Sequence, residues 1–314
     1  MGRLRERLSA GERVVTAELT IADGASPEIV RRAVAVLLDR VDAISVTDNA
    51  GAHAHASSLA VASLVATAGA EPMMNLACRD RNRLALQSDL IGAALHGIEN
   101  VVCVTGDDVT SGDEPGAIRV FDLDSPQLLS AASTLQAGRF LSGRPIDPAP
   151  RFFLGAVENP TAPPIAYRAE RALKKVLAGA QFFQLQIAFA PEPVETFLRA
   201  AAGLGLCERA SFLPSICILR SARQLRYMHK HVAGVVVPED VLAAIEALPP
   251  EAQREHCLEL AVALARAALA LPWVSGLHLI PLGGPELAVE LLDRLGPGAL
   301  QTKEHHGDGS RVAV

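Results

Sequence analysis

A single closed (β/α)8 barrel is the fold this sequence predicts, and three observations carry the prediction. Eight short runs rich in Val, Ile and Leu alternate with amphipathic stretches of helical period. The runs read as continuous apolar segments, as expected of parallel strands covered on both faces. No low-complexity linker or internal repeat splits the 314 residues, although that length also suits two domains. The barrel is assigned to residues 1–300. The polar, patternless segment 301–314 is read as a disordered tail.

The expected strands are 14–19 (VVTAEL), 42–47 (DAISVT), 72–78 (PMMNLAC) and 100–105 (NVVCVT), followed by 151–157 (RFFLGAV), 181–189 (QFFQLQIAF), 212–219 (FLPSICIL) and 275–282 (SGLHLIPL). Between them the helical patterns cover 27–38, 57–68, 82–95, 125–136, 166–178, 192–203 and 221–231, then extra helices within 238–270, and finally 284–294. Ser26-Pro27 and Ser125-Pro126 each place a capping residue and a proline at a helix start. Gly97, Gly179 and Gly205 stand where helices should end. Longer loops are expected over 106–124 and 138–150.

Composition excludes several classes. Half the residues are hydrophobic and only 4% are aromatic, so Ala, Leu, Val and Ile must fill the core. A net charge of −6 without a basic stripe argues against nucleic acid. The five cysteines form no Cys-x-x-Cys pair and read as buried, reduced thiols. The N-terminus lacks the apolar stretch of a signal peptide, and no window is long enough for a membrane span, so a cytoplasmic protein is expected. His53 and His55 would diverge on a helix, His229 and His231 sit at a basic helix end, and His305 and His306 fall in the tail; no metal site is expected. Neither a dinucleotide-binding Gly-x-Gly-x-x-Gly nor a Gly-x-x-x-x-Gly-Lys follows any strand.

In a barrel of this type the chemistry belongs to C-terminal strand ends. Glu18 ends the first run among small or apolar neighbours; partial desolvation there would keep it protonated near neutrality, as a general acid requires. Its plainer reading is a loop cap or an arginine's partner. Asp107 follows Gly106 and reads either as an acceptor for heterocycle N–H groups or as an ordinary Gly-Asp turn. Thr47, Asn75, Thr105, Asn159 and Gln186 stand at other strand ends, with Arg79 and Arg81 close by. Lys175, at the end of its helix, reads equally as a complement to the helix dipole.

Taken in order, TAEL, ISVTDNAGA, VVCVTGDD, LKKVLAGAQFFQLQ, LPSICILRSARQLRYM and GLHLIPL resemble segments of the methylenetetrahydrofolate reductase family over about residues 13–295. The resemblance implies a flavin enzyme of one-carbon metabolism and methionine biosynthesis that reduces 5,10-methylenetetrahydrofolate to 5-methyltetrahydrofolate with NAD(P)H. It puts the catalytic acid on Glu18 and the pterin- and flavin-contacting carboxylate on Asp107. Flavin contacts fall on Thr47, Asn75, Thr105, Asn159 and Lys175, and folate contact on Gln186. The implied cofactor is FAD, with FMN or no flavin as alternatives. The pattern is broken in four places. Thr105 replaces an Arg, Asn75 replaces a His, VENP (157–160) replaces Tyr-Pro-Glu, and Ala222 stands near the place of a folate-stacking aromatic. With CRDRNR (78–83), these departures resemble a branch of one-carbon (acetyl-CoA type) reductases that work with a partner subunit. The alternatives are a barrel subunit fed electrons by such a partner and a flavin-free folate-binding paralogue; homo-oligomers are also compatible with the sequence.

Overall fold

The computed structural model describes residues 2–19, 24, 26–232 and 234–300. Eight parallel strands close in chain order into one barrel. They are β1 (Val14–Leu19), β2 (Ala43–Val46), β3 (Pro72–Ala77), β4 (Asn100–Val104), β5 (Phe153–Glu158), β6 (Phe182–Leu185), β7 (Ser211–Ile218) and β8 (Gly276–Pro281). The helices are α1 (Arg3–Ser9), α2 (Pro27–Leu37), α3 (Ser58–Thr67), α4 (Arg83–Leu95), α5 (Ser125–Gln136), α6 (Arg168–Leu177), α7 (Glu192–Gly203), α8 (Ala222–His231), α9 (Glu239–Glu246), α10 (Pro250–Ala270) and α11 (Glu286–Leu295). The extra helices expected between the seventh and eighth strands are α9 and α10. The tail assigned to disorder lies outside the described residues.

Each strand turns alternate side chains to opposite faces, and the two faces differ in kind. Outward residues such as Val15, Ile44, Met74, Val101, Leu154, Phe183, Ile216 and Leu277 join the helices in one large core. Inward, Val14, Ala43, Met73, Val102, Phe153, Phe182 and Leu213 fill the N-terminal half of the barrel as an apolar plug. The Phe153 and Phe182 rings stack with centroids 4.9 Å apart. Gly155 makes room for them, since a Cβ there would fall 2.3 Å from the Phe182 ring.

Two elements differ from the sequence expectation. Helix α1 was not expected; it closes the floor by burying Leu4 completely against the plug. Its exposed N–H groups are capped by Glu71, which accepts from Arg3 N at 2.6 Å and Leu4 N at 3.2 Å. Strand β6 ends at Leu185 rather than running to 189, because Ile187 and Phe189 pack instead into a second core with Leu225, Met228, Ile245 and Cys257 from α8, α9 and α10. A smaller shift occurs at α5: Asp124 caps it, in a reciprocal capping box with Gln127, and Ser125 is its first helical residue.

Gly155→Ala tests the plug. The added methyl must displace the Phe182 ring, so unfolding by chemical denaturant should show a loss of about 1–3 kcal/mol.

Candidate active site

Above the apolar plug the barrel interior turns polar. Thr16 pairs in register with His278, and His278 with Ser215, so three adjacent strands carry polar groups at one level. Thr16 Oγ1 lies 2.9 Å from His278 Nδ1. The Gln184 amide nitrogen lies 3.2 Å from the ring nitrogens of His278 and donates across the barrel to Ser45 Oγ at 3.4 Å. Ser45 Oγ in turn donates to Asn75 Oδ1 at 3.5 Å. Burial pushes the His278 pKa down to about 3, so the ring is neutral at any working pH.

Glu18 sits one inward position above Thr16, at the mouth. Its carboxyl is half-buried and has no hydrogen-bond or ion-pair partner among the described residues. Desolvation alone pushes its pKa up to about 7. The Cys217 thiol is close enough to feel its charge, which adds to burial in raising the thiol's pKa. A carboxylic acid that keeps a large protonated fraction near neutrality, and has no partner among the described residues, can donate a proton to a bound ligand.

The remaining sequence candidates divide into free and engaged groups. Thr47, just after β2, is half-buried without a hydrogen-bond partner among the described residues. Gln186 turns its Oε1 to the Ile187 N–H at 2.9 Å, which leaves its amide donors unengaged. Asp107 is exposed and accepts from Gly51 N at 3.2 Å, tying the loop after β4 to the loop after β2. Thr105 exchanges hydrogen bonds with Ser125 at the start of α5. Asn159 donates to Gly234 O at 3.1 Å and accepts from Thr161 N at 2.9 Å, joining the loop after β5 to the segment after α8. Lys175 is 2% exposed; its ammonium donates to Glu158 at 2.7 Å and to the Val157 carbonyl. Burial lowers the Lys175 pKa, and the Glu158 carboxylate opposes that shift.

The cations nearest the β2–β5 end are similarly engaged. Arg79, 2% exposed, binds Asp80 at 2.8 Å and reaches the Asn49 and Asp107 carbonyls at 3.0 and 3.3 Å. Arg81 binds Asp48 and Asp89, both at 2.7 Å. Arg83 pairs with Asp122, Arg119 with Asp108, and Arg168 with Glu158. These side chains do not fit a flavin phosphate, which needs uncommitted donors and positive charge. Among the described residues no cluster of three or more His, Cys, Asp or Glu is placed to hold a metal. No helix among them is long and apolar enough to cross a membrane.

Sequence reasoning missed the buried polar layer of Thr16, Ser45, Ser215 and His278. The signal was present in strand alternation: Thr16/Glu18, Gln184/Gln186 and Ser215/Cys217 are two apart and therefore share the inner face.

Among solved structures, an uncharacterized protein from Clostridium thermocellum that binds two copies of 5-methyl-5,6,7,8-tetrahydrofolic acid superposes with a TM-score of 0.66. It is 11% identical, over 92% of this chain and 97% of that one, a likeness of fold. A 2,3-dimethylmalate lyase matches at TM-score 0.49, 11% identical, over 93% of this chain and 84% of its own. Tryptophan synthase from M. tuberculosis matches at 0.45, 14% identical, over 84% and 99%. The sequence model of the family described as methylenetetrahydrofolate reductase matches residues 3–128 and 153–296. That match takes in all eight strands and is interrupted only between β4 and β5, so the chain belongs to the methylenetetrahydrofolate reductase family.

Proposed function

We propose that the C-terminal mouth of this barrel binds 5,10-methylenetetrahydrofolate and reduces it to 5-methyltetrahydrofolate, with NAD(P)H as electron source. The observation that carries the reading is Glu18, a partnerless carboxyl at the mouth with a pKa near 7. Family membership and the folate bound by the Clostridium thermocellum protein support the choice of substrate.

The reaction needs one proton and one hydride. The Glu18 carboxyl donates its proton to N10 of the folate, the bond between N10 and the bridging methylene breaks, and an iminium forms at N5. Hydride then adds to that methylene carbon and leaves a methyl group on N5; Glu18 regains a proton from solvent. Asp107 can accept from the pterin N–H groups, and the free amide of Gln186 can donate to its ring. Thr47 offers a further hydroxyl. The neutral layer of Thr16, Gln184 and His278 forms the floor, so no fixed charge lies directly beneath the acid to perturb it.

A second reading, electron delivery by a partner subunit, is favoured by the exposed apolar side chains of Leu84, in the first turn of α4, and Ile118, in the loop after β4. Anaerobic oxidation of NADH and NADPH in the presence of methylenetetrahydrofolate, with mass-spectrometric detection of the product, separates the two. Turnover with a nicotinamide supports the first. Turnover only with an artificial reductant supports the second, and no methyltetrahydrofolate with any donor defeats both.

Three outcomes follow from the acid. Glu18→Gln should lower turnover by about 10²–10⁴-fold while changing folate affinity little, as read by steady-state kinetics and calorimetry. In the parent protein, turnover should fall as pH rises through about 7, because the donor is then lost by ionisation. The same raised pKa means that the folded state holds this proton more tightly than the unfolded chain. Stability is therefore withdrawn as pH rises from the ordinary glutamate range towards 7. The melting temperature of Glu18→Gln relative to the parent should accordingly increase between pH 5 and pH 8.

Asp107→Asn keeps an acceptor for Gly51 but removes the charge. Folate affinity should weaken by about 1–2 kcal/mol with the fold intact, measurable by titration with 5-methyltetrahydrofolate.

A further inference from the structure

We propose that this chain works without a resident flavin nucleotide, and that hydride passes directly from NAD(P)H to the folate. The inference deepens the reading above and rests on it for the substrate, but its grounds are separate: the charge balance and the closure of the mouth over β2–β5.

Every flavin nucleotide carries at least one phosphate, and a diphosphate in FAD. At this end of the barrel each nearby cation already has an acid. Arg79 and Arg81 lie among four aspartates, Asp48, Asp80, Asp89 and Asp107, and feel the charge of their neighbours in that set. The cluster thus carries more negative than positive charge before any ligand arrives. The Asp80 pKa is held low by its hydrogen bond to Arg79, so this acid stays ionised. Lys175 and Arg168 converge on Glu158 in a pocket where both partners of the closest pair are almost fully buried, side-chain exposures being 3% and 1%. A phosphate that recruited Lys175 would leave the Glu158 carboxylate buried with weaker compensation, which is strongly unfavourable.

The polar groups that the family resemblance assigns to flavin are engaged in the same way. Thr105 is held by Ser125, Asn159 by Gly234 and Thr161, and Asn75 by Ser45. Thr47 alone among them is without a partner among the described residues.

The space is also closed. Asp107 holds Gly51 N, and Asp113 holds Ala54 N at 3.1 Å, so the loops after β2 and β4 meet across the end of β3. Their backbones touch: a Cβ on Gly112 would lie 1.8 Å from the Ala52 carbonyl oxygen. The Arg79 guanidinium bridges the two loops from beneath through the Asn49 and Asp107 carbonyls. Glu18, Thr47 and Gln186, which offer an acid with a pKa near 7, a hydroxyl and an amide suited to a pterin, remain available.

The electron balance needs no flavin. The C4–H bond of the nicotinamide breaks and its hydride forms the third C–H bond of the N5-methyl group. NAD(P)⁺ departs, and the proton on N10 comes from Glu18.

The full chain, expressed and purified, is assayed for flavin by absorbance near 450 nm and by release on heating. It is then dialysed against FAD and against FMN, with a parallel titration of 5-methyltetrahydrofolate. Expected are less than about 0.1 flavin per chain, no FAD or FMN held tighter than about 0.1 mM, and saturable folate binding. Turnover with (4-²H)-labelled NAD(P)H should put deuterium into the product methyl group, because a direct transfer never passes through an exchangeable site. Stoichiometric flavin, or loss of the label to water as expected through a reduced flavin N–H, overturns the inference while leaving the folate reading intact. A chain that binds neither flavin nor folate defeats the folate reading and upholds the exclusion of flavin.

Discussion

A closed eight-stranded barrel has too narrow an interior for water and side chains to share, so whatever its inward residues are must be satisfied by one another. This chain meets that constraint with a vertical gradient. Hydrocarbon from Val14, Met73, Phe153, Phe182 and Leu213 fills the lower half, with α1 as its lid. A hydrogen-bonded neutral layer around Gln184 and His278 follows. Glu18 comes last. The acid's pKa is therefore a property of the whole column: the layers beneath it exclude water, and they supply no cation that would pull the proton off. A charged histidine at 278 would reverse that logic, and its burial is what prevents it.

Much of this was legible in the sequence, for a reason specific to parallel barrels. Strands buried on both faces show as apolar runs, and β1 follows VVTAEL residue for residue. Glu18 was legible because a carboxyl inside such a run cannot be well solvated. Helix α1 was not legible: it has a single buried leucine among charges, and the surface that receives Leu4 exists only after strands from opposite ends of the chain have closed. The capping of α5 by Asp124 rather than Ser125 is a one-residue ambiguity of the DSP sequence, in which both residues are good caps.

The site residues show the same division. What an isolated side chain would feel from its own strand could be inferred; what it would meet from another could not. Lys174 and Lys175 are adjacent and chemically identical, yet only the second turns inward, onto Glu158. Nothing local in LKKVL says which carboxylate it will find. Asp107 likewise looks like a free acceptor after a glycine, but the β2 loop arrives to donate Gly51 N. Arg79 sits beside Asp80 in the sequence, so that pair could have been anticipated, whereas its reach to the carbonyls of both neighbouring loops depends on the barrel's order of strands.

That order has a consequence for how one family fold can differ in its ligands. In the proposed reading the pterin meets β1, the end of β2 and the segment after β6, with Asp107 after β4, which together contribute uncharged donors, an acceptor and an acid with a pKa near 7. The phosphate end would fall to β3, β4 and β5, where cations must be left unpaired to receive an anion. Adding a carboxylate beside each cation, as Asp80, Asp48 and Glu158 do, would remove the second capacity and leave Glu18 and Gln186 untouched, because those two belong to β1 and to the segment just after β6. It also stiffens the loops, since the same arginines that lose their appetite for phosphate gain backbone carbonyls to hold. The stronger local ion pairs and the tighter mouth thus have one origin, and Glu18, on β1, stands apart from both.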